Sequence, residues 1–175
     1  MRTCFVLLLA CLAAGPLSAQ LQPVDNGSSV QFKIKNLGFN VTGTLTGLSG
    51  QIRFDPAHPE EAAFDVSVDA NTINTDNGMR DDHLRQETYF NVQHYPRIRL
   101  LSGKISLHKR GAYLFAGRLT IKDHTKDVVF PFTVVEIDGG YRFQGVFTIS
   151  RRDFEVGGFS TISDELEVTL NIIAK

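Results

Sequence analysis

Residues 128–149 read VVFPFTVVEIDGGYRFQGVFTI, and this stretch decides the fold. On both sides of Asp138-Gly139-Gly140, apolar side chains occupy every second position, as in Phe130 and Phe132 or Phe143 and Phe147. Alternation with a period of two places these side chains on one face of a β-strand. The short Asp-Gly-Gly connection is typical of a hairpin between antiparallel strands. The stretch therefore predicts a β-hairpin with one apolar and one polar face.

The same alternation recurs along most of the chain. Further alternating segments begin at Val30, Ile52, Phe64, Tyr113 and Leu166, and few residues separate them from their neighbours. Short connections favour antiparallel pairing over crossover helices. The pattern predicts a single all-β domain of about eight antiparallel strands. Such strands form either a sandwich of two sheets or a closed barrel.

Residues 75–96 interrupt the alternation and predict a short helical insertion. Asp76 or Asn77 can cap the helix, and Asp81 and Asp82 would lie in its first turn, where the helix dipole favours negative charge. Pro96 follows its expected end.

The first 19 residues have the composition of a secretory signal peptide. Arg2 precedes an apolar run, and small residues follow it up to an expected cleavage after Ala19. This leaves a domain of residues 20–175, expected to be periplasmic or secreted. Both cysteines, Cys4 and Cys11, would be removed, so the exported domain would have no thiol. The alternative is a lipoprotein-type cleavage that leaves Cys11 as a lipidated first residue.

Composition and motifs argue against several classes of function. The net charge of -1 gives no basic excess of the kind that nucleic-acid binding requires. The five histidines have no paired spacing typical of a metal site, although Asp81, Asp82, His83 and His94 leave a weak site conceivable. No Gly-x-Ser-x-Gly elbow and no glycine-rich phosphate loop occurs. The sequence therefore predicts no catalytic residue, no metal and no cofactor.

The inward-facing positions of the strands are rich in phenylalanine. Large rings at these positions form either a packed core or the wall of an apolar cavity. We assign ten inward-facing residues, seven of them phenylalanines, as candidate ligand-binding residues: Phe32, Ile34, Phe54, Phe64, Val66, Phe115, Leu119, Phe132, Phe143 and Phe147.

A polar cluster lies on the helical insertion. Arg80 with Asp81 or Asp82 could form an ion pair that holds a helical lid on the barrel. The alternative is that Arg80, His83 or Arg85 contacts the polar head of a ligand, and we assign Arg80, Asp81 and His83 as candidate head-group or lid residues. An arginine suits an anionic head because its planar guanidinium presents a fork of donors.

Several motifs together resemble a known family. These are Thr75–Leu84 with its Arg-Asp-x-His-Leu segment, Tyr89-Phe90 followed by Tyr95-Pro96, Gly117–Ile121, and Ile149–Phe154. In this order they are similar to the YceI-like family of bacterial lipid-binding proteins, and the resemblance covers nearly all of the mature chain. Asp123-His124 departs from the family pattern, which often has glycine and a small apolar residue there.

The resemblance implies an extended, antiparallel, lipocalin-like barrel around a polyisoprenoid or another amphiphile, in a periplasmic protein. The leading hypothesis is non-enzymatic binding, with transport or sequestration, of a long-chain isoprenoid-like lipid such as a quinone or a prenyl phosphate. The lipid would be a ligand and not a cofactor, and transient membrane contact and a homodimer are further expectations. The alternative is a ligand-free barrel that serves as an interaction or stress-protective module; a hydrolase ranks last.

Overall fold

The computed structural model describes residues 20–109 and 111–175. The predicted signal peptide and both cysteines lie outside these residues. The strands are β1 (Gln20–Leu21), β2 (Pro23–Asn36), β3 (Phe39–Arg53), β4 (Ala63–Asn74), β5 (Arg97–Lys109), β6 (Ala112–Ile121), β7 (His124–Ile137), β8 (Gly140–Ser150) and β9 (Ile162–Ala174). One α-helix, α1 (Gly78–Arg85), and two 3-10 helices, Pro59–Glu61 and Arg151–Phe154, complete the described elements.

Strands β2 to β9 form a closed up-and-down barrel in which every pair of neighbours is antiparallel. Closure joins the two ends of the domain, because β2 pairs with β9 in a register that sets Val30 opposite Leu170. The short β1 pairs with the end of β3. The predicted all-β antiparallel barrel is therefore confirmed, and the sandwich alternative is wrong.

Strand β5 is the element that alternation alone does not identify. Its register against β6 shifts between Ser102 and Lys104, so that Gly103 is an extra residue on this strand. Such a bulge breaks the period of two in the middle of the strand. Inward-facing residues before the bulge and Ile105 after it consequently have different parity.

The two ends of the barrel differ. The apical end carries residues 37–38, the insertion 75–96, residues 122–123 and residues 151–161, whereas the basal end carries residues 54–62 and 138–139. The basal half of the interior is filled by an aromatic floor, which we define as Phe54, Phe64, Tyr113, Phe115, Phe130, Phe132, Tyr141 and Phe143. Within it, the Phe143 ring centroid lies 5.4 Å from that of Phe54 and 5.3 Å from that of Phe64, both edge-to-face. These are favourable geometries for aromatic pairs.

The helical insertion is confirmed at the apical end. Asn77 caps α1, because its side chain accepts a hydrogen bond from the backbone N–H of Arg80 at 3.0 Å. After the helix, the backbone N–H of Phe90 donates to the Leu84 carbonyl at 3.0 Å, which folds the following turn back over the barrel. Among residues 20–109 and 111–175, no helix has the length and apolar character needed to cross a membrane.

Candidate functional site

An apolar cavity of about 200 Å³ lies in the apical half of the barrel. Its wall includes residues of every barrel strand except β7, among them Phe32 on β2, Leu45 on β3, Leu119 on β6, Phe147 on β8 and Val168 on β9. Phe147 marks the boundary with the aromatic floor, since its ring stacks on that of Phe130 with centroids 4.3 Å apart. The barrel interior is therefore solid at one end and hollow at the other.

Apical segments cover the cavity. Leu84 on α1 and Tyr89 and Phe90 after it line the cavity from one side, and Phe154 and Val156 line it from the other. Phe154 is 1% exposed, so this second side is packed tightly against the barrel. The cover is thus made of two separate pieces of chain that meet over one apolar space.

The structure divides the ten candidate ligand-binding residues into two groups. Half of them line the cavity: Phe32, Ile34, Val66, Leu119 and Phe147. The other half do not line it and are buried in the aromatic floor: Phe54, Phe64, Phe115, Phe132 and Phe143. The structure therefore does not bring this second group to the cavity wall. Strand parity tells that a side chain points inward, but not whether the interior at that height is filled by neighbouring rings.

The polar residues of α1 are also placed unequally. Arg80 lines the cavity, whereas Asp81 is buried at 5% exposure behind it and His83 is exposed on the helix. Leu84, and not His83, is the residue of the last helical turn that reaches the cavity. His83 is therefore not part of the cavity wall.

Thr75 connects Arg80 to Asp81. The Thr75 hydroxyl donates to Oδ1 of Asp81 at 2.5 Å, and the Thr75 backbone N–H donates to the same oxygen at 2.9 Å. Arg80 Nε donates to the Thr75 hydroxyl oxygen at 2.7 Å, and Nη2 donates to the Thr75 carbonyl at 2.6 Å. Asp81 thus holds Thr75 in position, and Thr75 in turn holds the guanidinium of Arg80 in position.

Arg80 forms no ion pair with a carboxylate in the described part of the chain. The predicted direct ion pair with Asp81 or Asp82 is replaced by the hydrogen bonds through Thr75. A partly buried guanidinium held by neutral oxygens keeps donors for an anionic or carbonyl-bearing group. Arg80 is therefore the cavity residue best suited to a polar head.

Arg151 is a second cavity-lining arginine, although the sequence around it, Arg151-Arg152-Asp153, indicates only a charged strand end. It is 5% exposed, and its guanidinium donates to the carbonyls of Val156, Gly157 and Ile162 among others and to Oδ1 of Asp164 at 3.1 Å. Its donors are used to hold the segment that follows it. Arg151 positions the cavity cover and, unlike Arg80, has its guanidinium committed to the protein.

Among the described residues, no cluster of three or more histidine, cysteine, aspartate or glutamate side chains could hold a metal ion.

Comparison with known proteins gives one family match and several relatives. The family model described as "YceI-like domain" matches residues 21–174. A UPF0312 protein of Pseudomonas fluorescens is 34% identical over 161 residues, which cover 83% of this chain and 81% of that protein. A UPF0312 protein of Ectopseudomonas mendocina is 29% identical over 151 residues, which cover 82% of this chain and 79% of that protein.

Solved structures have the same barrel. Burkholderia cenocepacia BcnA superposes with a TM-score of 0.83 at 25% identity, covering 87% of this chain and 99% of BcnA. The Campylobacter jejuni YceI protein has a TM-score of 0.71 at 30% identity, covering 82% and 90% of the two chains. A polyisoprenoid binding domain from Saccharophagus degradans has a TM-score of 0.70 at 16% identity, covering 89% and 97%, and shows likeness of fold alone.

Proposed function

The chain belongs to the YceI-like domain family, and from this premise we propose that it binds one isoprenoid-like lipid inside its barrel and does not convert it chemically. The observation that carries the proposal is the apolar cavity between the aromatic floor and the apical cover. The Saccharophagus degradans domain, which has the same fold, is described as polyisoprenoid binding, and that supports the same class of ligand.

Affinity would come mainly from burial of the ligand's apolar chain, worth about 0.8 kcal/mol for each buried methylene group. The cavity volume of about 200 Å³ sets a limit, since a protein cavity of roughly 150 Å³ holds a benzene molecule. The present cavity therefore accommodates a short apolar segment. A long chain requires the cover at Tyr89 and Phe90 to move outward, or it extends beyond the cavity.

We place the ligand's polar head beside Arg80. The guanidinium borders the cavity and has no carboxylate partner among the described residues. A prenyl phosphate, a carboxylate or a quinone carbonyl can accept its hydrogen bonds. Asp81 acts through Thr75 as a positioning residue, and His83 has no role in this proposal.

In its cellular role the protein would be a carrier or a sequestering protein in the periplasm or outside the cell, which exchanges its lipid with a membrane. That location rests on the predicted signal peptide at residues 1–19.

The homodimer stays a prediction, and analytical ultracentrifugation of the purified domain tests it. The rival function, a ligand-free interaction or stress-protective module, predicts no continuous internal cavity, so the hollow apical half favours lipid binding.

Native mass spectrometry of the purified protein, followed by solvent extraction, tests the proposal. Val168 lies in the cavity wall between Phe32 and Phe147, so Val168→Trp should fill the cavity. Val146, on the same hairpin, is 51% exposed on the outer wall, so Val146→Trp is the matched control.

We expect a lipid adduct, or uptake of added geranylgeraniol, for the wild type and for Val146→Trp, and at least a tenfold loss for Val168→Trp. A wild type that is empty and ignores added prenols overturns the proposal. Equal uptake by both tryptophan variants also does so, because the ligand would then lie elsewhere.

A further inference from the structure

Large apolar side chains are exposed at the apical end, where the cavity cover lies. Leu37 is 70% exposed, Phe39 77%, Met79 75% and Phe159 99%. We call these four residues the apical rim. They come from three separate pieces of chain: the β2–β3 turn, the first turn of α1, and the loop before β9. Exposed residues of this size are costly to leave in water, and a cluster of them around one opening marks an interaction surface.

The rim follows the edge of the cavity. Asn36 lines the cavity, directly precedes Leu37 and pairs with Phe39. Arg80, also in the wall, directly follows Met79. Leu37, Phe39 and Met79 are therefore immediate neighbours of residues in the cavity wall.

The segment around Phe159 joins the rim through hydrogen bonds to the β2–β3 turn. The Thr161 hydroxyl donates to Asn36 Oδ1 at 2.9 Å, and the backbone N–H of Leu37 donates to the Thr161 carbonyl at 3.4 Å. Phe159 itself lies between Val156 and Ile162, which both line the cavity.

The turn conformation at Leu37 supports a functional reason for its exposure. Leu37 has φ 51° and Gly38 has φ 85°, as in the tight hairpin turns that favour asparagine, aspartate or glycine. A leucine in this conformation is strained, and its side chain has no core to pack against. Neither folding nor solubility favours leucine at this position, so an apolar partner outside the domain is the remaining reason for it.

We propose that the apical rim inserts into the surface of a lipid bilayer and that the bound lipid enters and leaves the barrel there. This inference rests on the proposed lipid binding, because a water-insoluble ligand must come from a bilayer. The rim side chains are exposed on three separate segments, an arrangement suited to penetration between lipid head groups and not to a flat protein interface.

The charges near the rim indicate how the domain would dock. The Arg152 guanidinium lies 4.9 Å from the centre of the Phe159 ring, so that an inserted ring would bring a cation to the level of the lipid phosphates. The apical segments as a whole carry more acidic than basic residues, including Asp76, Asp82 and Glu155. Docking is therefore driven by apolar insertion and does not require anionic lipids.

Flotation with phosphatidylcholine vesicles tests this inference. The rim variant is Phe39→Ser with Phe159→Ser, and the control is Val129→Ser with Val135→Ser, which are exposed at 62% and 51% on the outer barrel wall. We expect the wild type and the control to float with the vesicles and the rim variant to partition at least tenfold less. Added phosphatidylglycerol should not increase binding of the wild type.

Geranylgeraniol uptake separates this inference from the proposed function. Without vesicles, the rim variant should take up the prenol as the wild type does, and it should load more slowly only from vesicles. A wild type that binds the prenol in solution but not the vesicles, or a rim variant that floats normally, overturns the rim alone. A dimer of the wild type that the rim variant loses also overturns it, by showing that the rim faces a second copy. Failure of the wild type to bind any prenol in solution overturns the proposed function instead.

Discussion

The ring of Phe32 lies against the backbone of Gly43, the residue opposite it on the neighbouring strand. A Cβ atom at position 43 would lie 2.5 Å from Cε1 of Phe32 and 2.9 Å from Cγ2 of Thr75. The missing side chain therefore makes room both for an aromatic ring of the cavity wall and for the threonine that holds Arg80. One glycine joins the apolar and the polar parts of the candidate site.

Gly43→Ala should push the Phe32 ring into the cavity. We expect prenol affinity to fall about tenfold, which is about 1.4 kcal/mol of binding free energy. We also expect the free energy of unfolding to fall by about 1–3 kcal/mol because the core is overpacked. Titration calorimetry and chemical denaturation measure the two effects. Gly103→Ala is the control, because a Cβ atom there meets only the Ala116 carbonyl oxygen, at 3.5 Å. Unchanged affinity in Gly43→Ala would contradict the assigned cavity wall.

Phe143 and Phe147 lie on the same face of β8 but should behave differently. Phe143→Ala removes a ring from the aromatic floor and should cost about 3–5 kcal/mol of stability, with lipid affinity unchanged. Phe147→Ala enlarges the cavity and should shift preference toward longer prenols. Competition between farnesol and geranylgeraniol measures that preference. Loss of lipid binding in a folded Phe143→Ala protein would place the ligand in the floor and refute the division of the interior.

Arg80→Gln should weaken binding of lipids with an anionic head about tenfold, because the guanidinium has no other anionic partner in the described part of the chain. Affinity for the uncharged prenol should change little. Arg118→Gln, an exposed residue of β6, serves as the control. The measurement is paired titration with farnesyl phosphate and farnesol. An equal loss for both ligands would indicate that Arg80 supports the fold and not the head group.

Lowering the pH should weaken the hydrogen bonds that Arg151 and Arg152 donate to Asp164, and with them the attachment of the cavity cover. The hydrogen bond from Arg152, followed by attraction to Arg152 and Arg151, lowers the pKa of Asp164 below its ordinary value of 3.8. A lowered pKa in the folded state means that the contribution is present above about pH 4 and is lost as the pH falls through the folded-state pKa. The free energies of unfolding of wild type and Asp164→Asn should therefore differ at neutral pH and converge in acid.

Denaturation curves between pH 7 and pH 2 measure this convergence. Asp153→Asn, on the exposed side of the 3-10 helix Arg151–Phe154, is the control and should leave the profile unchanged. A constant difference between wild type and Asp164→Asn at all pH values would refute the assignment to the Asp164 carboxylate.

Local sequence patterns were sufficient to predict most of the strands and the helix. The hairpin around Asp138-Gly139-Gly140 and the helix capped by Asn77 follow from rules that act over a few residues, and both are present. Strand β5 was missed because the bulge at Gly103 changes parity within one strand. Closure into a barrel depends on the pairing of β2 with β9, which are far apart in the sequence, so composition alone left the sandwich open.

The candidate site was only partly predictable, for a different reason. Phe32 and Phe143 have the same residue type and the same inward orientation, yet only Phe32 borders empty space. Arg151 looks like a charged strand end in the sequence, but the carbonyls of the following loop turn inward and bury it. Both differences arise from the packing of distant segments, which a period of two does not encode.

Contact quenching of a single tryptophan tests the central claim, that the lipid lies in the apical cavity, most directly. The protein has no tryptophan, so Phe147→Trp places one reporter in the cavity wall and Val135→Trp places one on the outer surface. A brominated fatty acid quenches only a ring that it touches. The account predicts saturable quenching of Phe147→Trp, reversed by excess geranylgeraniol, and little quenching of Val135→Trp. A bound fatty acid that leaves the emission of Phe147→Trp unchanged would contradict it.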